Sequence, residues 1–176
     1  NLTMTNKTCI LFQTNDEYDF LWEGLYLSWK LNWMWDPFNF PVYVITETKD
    51  FKQCHPSCNF ETINVGHDLS GAGNYSSKLL KGLDYLQGLG FENIIYCQDD
   101  SWPETSPDSL ILNDIFQMFE EKQLDVFYFH EHRSHFPFTV KDTGEYIRGR
   151  RVREFYGMSR FYYNHGCGIW NINSLR

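Results

Sequence analysis

A chain of 176 residues has the size of one domain and can bury a sizeable hydrophobic core without disulfides or metals. Its acidic residues outnumber its basic residues by 23 to 15, and a formal charge of −8 argues against binding to the phosphate backbone of a nucleic acid. No apolar run approaches the roughly 20 residues that span a bilayer, so no membrane span is expected. Cys54 and Cys58, the only closely spaced cysteines, lack a second half-site for zinc and are expected to be free thiols. We therefore expect a soluble protein in the reducing cytoplasm.

The first half of the chain alternates between apolar runs and amphipathic stretches. Residues 8–14 form a short apolar run that is typical of a strand, and the apolar residues of 16–34 recur every three or four positions, as on one face of a helix. β-branched residues favour a second strand at 41–46. A shorter third strand is expected at 62–65.

A second helix is predicted over residues 74–87. Asn74 is placed to cap its first turn, and Lys78 falls on the face that we expect to point outward. The clearest strand follows at 92–97, where an unbroken apolar run suits a sheet that is covered on both faces.

The last third begins with a strong helix signal. Ser106, as the cap, precedes Pro107 and Asp108, and this order predicts a helix that runs to about residue 122. The next strand is expected at 125–130. Beyond residue 132 the pattern loosens, with extended segments predicted at 136–140 and 153–163 and a short helix at 171–176.

Strands that alternate with helices form mainly parallel sheets with helices on both faces. The predicted fold class is therefore α/β, with one Rossmann-like domain over residues 1–176. The chain ends abruptly at Arg176, so we expect that the natural protein can continue beyond it.

Polar and mostly acidic residues follow four predicted strands at the point where each strand ends. Open α/β sheets bind ligands outside the carboxyl ends of their strands, so these junctions should meet at one edge. Each junction alone suits a solvated loop, whereas four together indicate a functional site. The junctions are Thr14-Asn15-Asp16, Thr46-Glu47-Thr48, Gln98-Asp99-Asp100 and His130-Glu131-His132.

Asp99 and Asp100 are the sharpest chemical signal in the chain. Two adjacent carboxylates repel each other, and burial after an apolar strand makes the pair costly unless a cation lies between them. Carboxylate oxygens suit Mg²⁺ or Mn²⁺, which keep positions open for phosphate oxygens. A solvated acidic turn is the alternative for the pair taken alone, and its place after the central strand favours the metal.

Residues 75–103 resemble a GT-A glycosyltransferase, in which a helix precedes an apolar strand that ends in an acidic signature, commonly Asp-any-Asp. Gln98 takes the place of the first acid here, so the signature is Gln-Asp-Asp. Residues 42–47 and the closing segment 164–171 also look like parts of this fold. The resemblance implies a metal-dependent enzyme that moves a sugar from a nucleoside-diphosphate donor to a carbohydrate or glycosylated acceptor.

The same resemblance implies a division of the chain and a set of ligand contacts. Residues 1–100 would form the nucleotide-binding half and residues 101–176 the acceptor-side half. Asp100 would hold the Mn²⁺ or Mg²⁺ ion that bridges the diphosphate, with Asp99 beside it, and Asp99 or Gln98 would contact the ribose or the sugar. The residues expected to line the nucleoside pocket are Thr14, Asn15, Thr46 and Glu47.

Two further residues keep two interpretations each. Lys78 would reach the diphosphate or the sugar, or it would be an ordinary exposed lysine. Trp170 would stack on a sugar ring, or it would belong to the core. The run of Arg148, Arg150, Arg151 and Arg153 would likewise clamp phosphates or form a solvated basic hairpin.

An inverting transferase also needs a general base that takes a proton from the acceptor hydroxyl. The candidates are Glu104, Glu131 and His165. Two other functions share part of this evidence. Another metal-dependent phosphoryl or nucleotidyl enzyme would use the same carboxylates, although residues 14–18 contain no glycine for a glycine-rich phosphate loop. A non-catalytic carbohydrate-binding module would use the aromatic residues, which make up 18% of the chain.

Overall fold

A computed structural model of the chain describes residues 5–33, 38–103, 105–129, 140–155 and 167–176, with the backbone alone at 5 and 72. The five strands predicted in the first 130 residues are confirmed, each within two residues of its expected bounds. The elements in chain order are β1 (Thr8–Gln13), α1 (Asp19–Asn32), β2 (Val42–Thr46), β3 (Glu61–Asn64), α2 (Tyr75–Gly88), β4 (Asn93–Gln98), α3 (Ser109–Glu121), β5 (Val126–Tyr128), β6 (Val140–Ile147), β7 (Arg150–Phe155), β8 (Gly168–Asn171) and α4 (Ile172–Leu175).

Six strands of the described chain form one sheet in the order β3-β2-β1-β4-β8-β5. β1 is parallel to β2 and β4, and β2 is parallel to β3, whereas β8 runs antiparallel to both β4 and β5. β5 therefore has the same direction as β1 to β4, and the prediction of a mainly parallel α/β sheet is confirmed. The sheet is mixed because β8 returns from the far end of the chain into the gap between β4 and β5.

The sheet separates two hydrophobic layers. Alternate residues of a strand point to opposite faces, and both faces are covered here. Phe12 and Ile95 belong to the layer under α1 and α3, and Leu11 and Ile94 belong to the layer under α2. This double burial explains why the strands are continuous apolar runs in the sequence.

Trp170 lies in the second of these layers and is 1% exposed. It pairs with Ile94, near the start of β4, so it lies away from the carboxyl edge of the sheet. Its ring packs edge-on against Tyr128. The structure thus contradicts the expectation that Trp170 stacks on a sugar ring, because the ring is enclosed by the core.

Two predicted helix starts differ in detail from the structure. Asn74 precedes α2 but makes no capping bond, because its side chain instead donates to the carbonyl of Ser70. Asp108, rather than Ser106, caps α3, since its carboxylate accepts from the backbone N–H of Leu110 at 2.9 Å and of Ile111 at 3.2 Å. The chain stays extended through Asp108, which places Ser106 too early to reach those donors.

β6 and β7 form a separate hairpin that carries the arginine run. Arg148 and Gly149 make the turn, and both have positive φ, at 45° and 79°, as a type I′ turn requires. Arg148 pairs with Asp114 of α3, and Arg151 pairs with Asp142 across the hairpin. These exposed ion pairs favour the solvated basic hairpin over a phosphate clamp.

The five cysteines divide into one bonded pair and three free thiols, which include the two predicted to be free. Cys97 of β4 and Cys167 form a disulfide, whereas Cys9, Cys54 and Cys58 are free thiols. Burial raises the pKa of the Cys54 thiol to about 12. The reducing cytoplasmic setting stays a prediction. None of the helices in the described residues is both long and apolar enough to cross a membrane.

Candidate active site

A cavity opens at the carboxyl edge of the sheet between β1 and β4. β1 is the point where the strand order reverses, because β2 lies on one side of it and β4 on the other. The helices that follow, α1 and α2, pack on opposite faces. Ligands bind at such switch points in open α/β sheets. The cavity measures about 180 Å³ and is lined by Gln13, Thr14, Asn15, Tyr18, Tyr75, Gln98 and Asp99.

Asp99 is held at this cavity by a bond between the ends of the two strands. Thr14 Oγ1 donates to Asp99 Oδ2 at 2.6 Å and accepts from Trp22 Nε1 at 3.0 Å. Burial raises the pKa of Asp99, and the charge of Asp100 adds to that rise, while the Thr14 hydrogen bond offsets part of it. A raised carboxyl pKa means that the surroundings disfavour the negative charge, which a bound cation would relieve.

The donor set fits a divalent ion that arrives with a phosphate. Within the described ranges, no three side chains of His, Cys, Asp or Glu converge as a complete metal cage. Mg²⁺ is commonly held by only one or two carboxylates together with waters and substrate phosphates. Asp99 and Asp100 supply that number of carboxylates and leave the other positions to the substrate.

Lys78 contradicts its predicted place on the outward face of α2. Its side chain is wholly buried, and its Nζ lies 2.7 Å from Glu47 Oε1 and also donates to Asn15 Oδ1. It is therefore not an ordinary exposed lysine. Since two bonds already hold its ammonium group beneath the ends of β1 and β2, a contact with a diphosphate gains no support.

Asp16 and Glu47 lock the ends of β1 and β2 together by exchanging hydrogen bonds. Asp16 Oδ1 accepts from the Glu47 N–H at 3.0 Å, and Glu47 Oε2 accepts from the Asp16 N–H. Asp16 Oδ2 also accepts from the Thr48 N–H, the Thr48 hydroxyl and the Lys49 N–H. Glu47 is thus a structural part of the loop, and so is Thr46, whose hydroxyl donates to the Lys49 carbonyl. Neither residue lines the cavity.

The predicted site residues therefore fall into separate groups. The cavity is lined by four of them, Thr14, Asn15, Gln98 and Asp99, as expected for residues at the carboxyl ends of neighbouring strands. Asp100 follows Asp99 directly in the sequence. Their contacts with substrate and metal stay predictions. The three candidates for the general base, Glu104, Glu131 and His165, lie outside the described residues.

Sequence reasoning missed three lining residues, of which Gln13 is the most informative. Its Nε2 donates to the carbonyl of Tyr75 at 2.9 Å, and this bond fixes the orientation of its amide group. Its Oε1 is buried and has no donor in the part of the chain that the structure describes. A buried acceptor without a donor is costly, so it suits a ligand that brings an N–H or O–H group. The sequence feature that could have identified Gln13 is a polar residue at the last position of an apolar strand.

The hydrogen bonds that the Asp16 carboxylate accepts can be tested by measuring stability at low and neutral pH. Burial would raise the pKa of Asp16, but the hydrogen bonds from Thr48, Lys49 and Glu47 together lower it below 3.8. The folded state therefore binds this proton less readily than the unfolded chain, and the stabilisation is complete above pH 3.8 and lost as the pH falls through the lower folded pKa. We expect Asp16→Asn to cost about 1 kcal/mol near pH 7, after allowance for exposure, and less near pH 3, as measured by urea unfolding.

Glu17→Gln is the matched control for this experiment, because Glu17 is an exposed acid of the same turn. It should leave the unfolding free energy nearly unchanged at both values of pH. An equal loss for Asp16→Asn at both values would contradict the role assigned to its charge.

Comparison with known proteins gives the fold. No protein-family model matches the sequence, and no curated protein matches it significantly. Among solved structures, the chain is similar to CMP:2-keto-3-deoxy-manno-octonic acid synthetase complexed with CTP, with 12% identity over 96% of this chain and 76% of that chain and a TM-score of 0.52. Another is a cytidylyltransferase from Leptospira borgpetersenii serovar Hardjo-bovis (strain JB197), with 14% identity over 96% of this chain, 62% of that chain and a TM-score of 0.47.

Identities this low establish the fold alone. The α/β fold class is thereby confirmed. The similar structure with a TM-score of 0.52 is named a synthetase and not a glycosyltransferase, so the resemblance to GT-A enzymes beyond this fold class stays a prediction. The chain has a Rossmann-like α/β fold, with its cavity at the switch point of the sheet.

Proposed function

We propose that this chain is a metal-dependent transferase that binds a nucleotide at the carboxyl edge of β1 and β4. The observation that carries the proposal is the place of Asp99, a carboxylate disfavoured by burial and by Asp100, at a cavity of the switch point. When bound there, Mg²⁺ or Mn²⁺ supplies positive charge that offsets the charge developing on the phosphate oxygens.

The lining of the cavity indicates which part of the nucleotide it takes. Asp99 is the only charged residue among those lining it, and no lysine or arginine of the described chain is included. An uncharged group therefore fits the cavity better than a phosphate does. Gln13 Oε1 offers an acceptor to a base N–H or a ribose O–H, and Tyr18, which is 40% exposed, offers a ring at the opening. The phosphates would then lie outside, at Asp99 and Asp100.

Nucleotidyl transfer is the reaction that the comparisons favour. The similar structure with a TM-score of 0.52 is a synthetase that is named for its CMP-linked sugar-acid product and was solved with CTP. In such a reaction, Asp99 and Asp100 would hold the metal, a hydroxyl oxygen of the sugar would attack the phosphorus next to the ribose, and pyrophosphate would leave. The likeness is one of fold, so the substrates are a matter for experiment.

Glycosyl transfer from a nucleoside-diphosphate sugar is the second candidate, and the charge of the β1–α1 connection favours it. That connection, residues 14–18, carries Asp16 and Glu17 and no glycine, and Asp19 at the start of α1 is already paired with Lys49. The chain of a triphosphate laid along it would be repelled, whereas a diphosphate held at Asp99 and Asp100 would avoid it. A carbohydrate or a glycosylated molecule would then be the acceptor.

One assay separates these reactions. The full chain is incubated with Mn²⁺ and either CTP or UTP plus a panel of sugars and sugar acids, or UDP-, GDP- and CMP-sugars plus glycan acceptors, with a chelator as the control. Metal-dependent release of pyrophosphate from the triphosphate indicates nucleotidyl transfer, and metal-dependent release of the nucleotide from its sugar indicates glycosyl transfer. If no nucleotide produces a Mn²⁺-dependent thermal shift or product, the proposed function is wrong, and a carbohydrate-binding module becomes the better explanation.

A further inference from the structure

Trp102 is an exposed aromatic side chain in the segment that directly follows Asp99 and Asp100. It follows Asp100 by two positions, and its indole N–H donates to the carbonyl oxygen of Asp99 at 2.8 Å. Despite this anchor, the side chain is 42% exposed. A ring that is fixed in place and still presents its surface to solvent is pre-organised to stack on a flat ligand.

The backbone on both sides of Trp102 is fastened to α1. Trp29 Nε1 donates to the carbonyl of Ser101 at 3.1 Å. The carbonyl of Pro103 accepts from Ser28 Oγ at 2.9 Å and from Asn32 Nδ2 at 2.8 Å. Side chains of one helix therefore hold the residue before Trp102 and the residue after it, and a binding ring needs this kind of rigid support.

Gly24 of α1 provides the space in which the ring lies. A Cβ atom at this position would come within 2.5 Å of Trp102 Cη2. The absence of a side chain at Gly24 therefore allows the indole to rest against the helix. An alanine there would push the ring away without removing it, which gives an independent way to disturb its position.

We propose that Trp102 is a stacking platform for a sugar ring, with Asp99 and Asp100 accepting hydrogen bonds from that sugar's hydroxyl groups. The C–H face of a sugar is flat and apolar and packs on an aromatic ring, while its hydroxyls need acceptors. A nucleobase is the other flat ligand, but under the proposed function it belongs in the cavity with Gln13. Whether this sugar belongs to the donor or to the acceptor rests on the proposed function. The binding of a sugar by Trp102 does not.

Saturation-transfer NMR on the full chain tests this inference. The probes are the methyl glycosides of glucose, galactose, mannose and N-acetylglucosamine, alone and with Mn²⁺ plus UDP or CMP. We expect transfer to the ring C–H protons of at least one glycoside and a roughly tenfold weaker affinity in Trp102→Ala. Trp102→Phe should retain part of the affinity. Gly24→Ala should lose affinity although the tryptophan is still present.

Tyr85→Ala is the matched control, because Tyr85 is a 50% exposed ring near the C-terminal end of α2, on the far side of the sheet from the carboxyl edge. It should bind the glycosides as the unmodified protein does. Circular dichroism and the unfolding temperature of each variant show whether it is folded. Should Trp102→Ala destabilise the chain, the comparison of Trp102→Phe with Gly24→Ala still reports on the ring.

The affinity for nucleotide sugars shows whether the sugar on Trp102 belongs to the donor or to the acceptor. If Trp102→Ala weakens a UDP- or CMP-sugar but not the bare nucleotide, the platform holds the donor sugar, and if it weakens only the methyl glycosides, it holds the acceptor. Equal glycoside binding by Trp102→Ala, or no glycoside binding by a protein that still binds Mn²⁺ and nucleotide, overturns this inference and leaves the proposed function intact. If the chain binds glycosides through Trp102 but binds no nucleotide, this inference is supported and the proposed function is wrong.

Discussion

Asp100→Ala is expected to abolish the Mn²⁺-dependent binding of a nucleotide and to lower any transferase turnover by about a hundredfold or more. Asp99 lines the switch-point cavity, and Asp100 follows it directly in the sequence. With Asp100 gone, a bound ion would keep at most one of the two carboxylates, and its hold on a nucleotide's phosphates would be much weaker. Isothermal titration of UDP or CTP in the presence and absence of Mn²⁺ measures the effect.

Asp114→Ala is the control for this experiment, since it also removes one aspartate, at a position where the carboxylate is exposed and paired with Arg148. It should bind the metal and the nucleotide normally.

Asp99→Asn adds a second measurement, because an amide oxygen can still accept from Thr14 while the charge is gone. The raised pKa of Asp99 means that its ionised form costs stability as the pH rises above 3.8, so the metal-free variant should be no less stable than the parent near pH 7. Unaltered Mn²⁺-dependent binding in Asp100→Ala would end the case for a metal at this edge.

Much of the sheet is predictable because each buried strand is a continuous apolar run. Residues 92–97 are the clearest example, since both faces of β4 are covered and every side chain from Asn93 to Cys97 is buried. β8 is not predictable in this way. Gly168–Asn171 has only four residues, and its insertion between β4 and β5 depends on pairing between segments that are far apart in the sequence. Local periodicity contains no information about such neighbours.

The candidate site is predictable where it follows from strand direction. Thr14 and Asp99 end parallel neighbouring strands, so their approach follows from the topology that the alternating pattern indicates. Trp102 is less accessible to such reasoning, because its exposure depends on bonds from α1 and on the missing side chain of Gly24. Trp170 shows the opposite error, since an aromatic residue near a glycine-rich segment looks like a binding residue until the sheet encloses it.

Lys78 is the residue for which sequence reasoning failed for the clearest physical reason. It precedes Leu79 and lies four positions before Gly82, so it borders the buried face of α2. A lysine there is ordinarily assigned to solvent, because burying an ammonium group is costly unless a partner is present. The partner is Glu47, 31 residues away in the chain, and only the folded structure brings the two together.

The largest effect on stability is therefore expected from breaking the Lys78–Glu47 pair. Lys78→Met leaves the Glu47 carboxylate buried without its cation, and it should lower the free energy of unfolding by about 3–5 kcal/mol. For a domain of this size, that corresponds to a fall of roughly 10 °C in the unfolding temperature. Urea and thermal unfolding measure the change.

The double variant Lys78→Met with Glu47→Gln decides whether the charge is responsible. Glutamine retains an acceptor for the Asp16 N–H and carries no charge, so the double variant should recover most of the lost stability. Lys122→Met is the matched control, because the Lys122–Glu145 pair is exposed and should matter little. Since Lys78 also holds Asn15 at the cavity, the single variant should weaken nucleotide binding even where it is still folded. A single variant as stable as the parent, or a double variant no better than the single, would mean that packing rather than charge fixes the ends of β1 and β2.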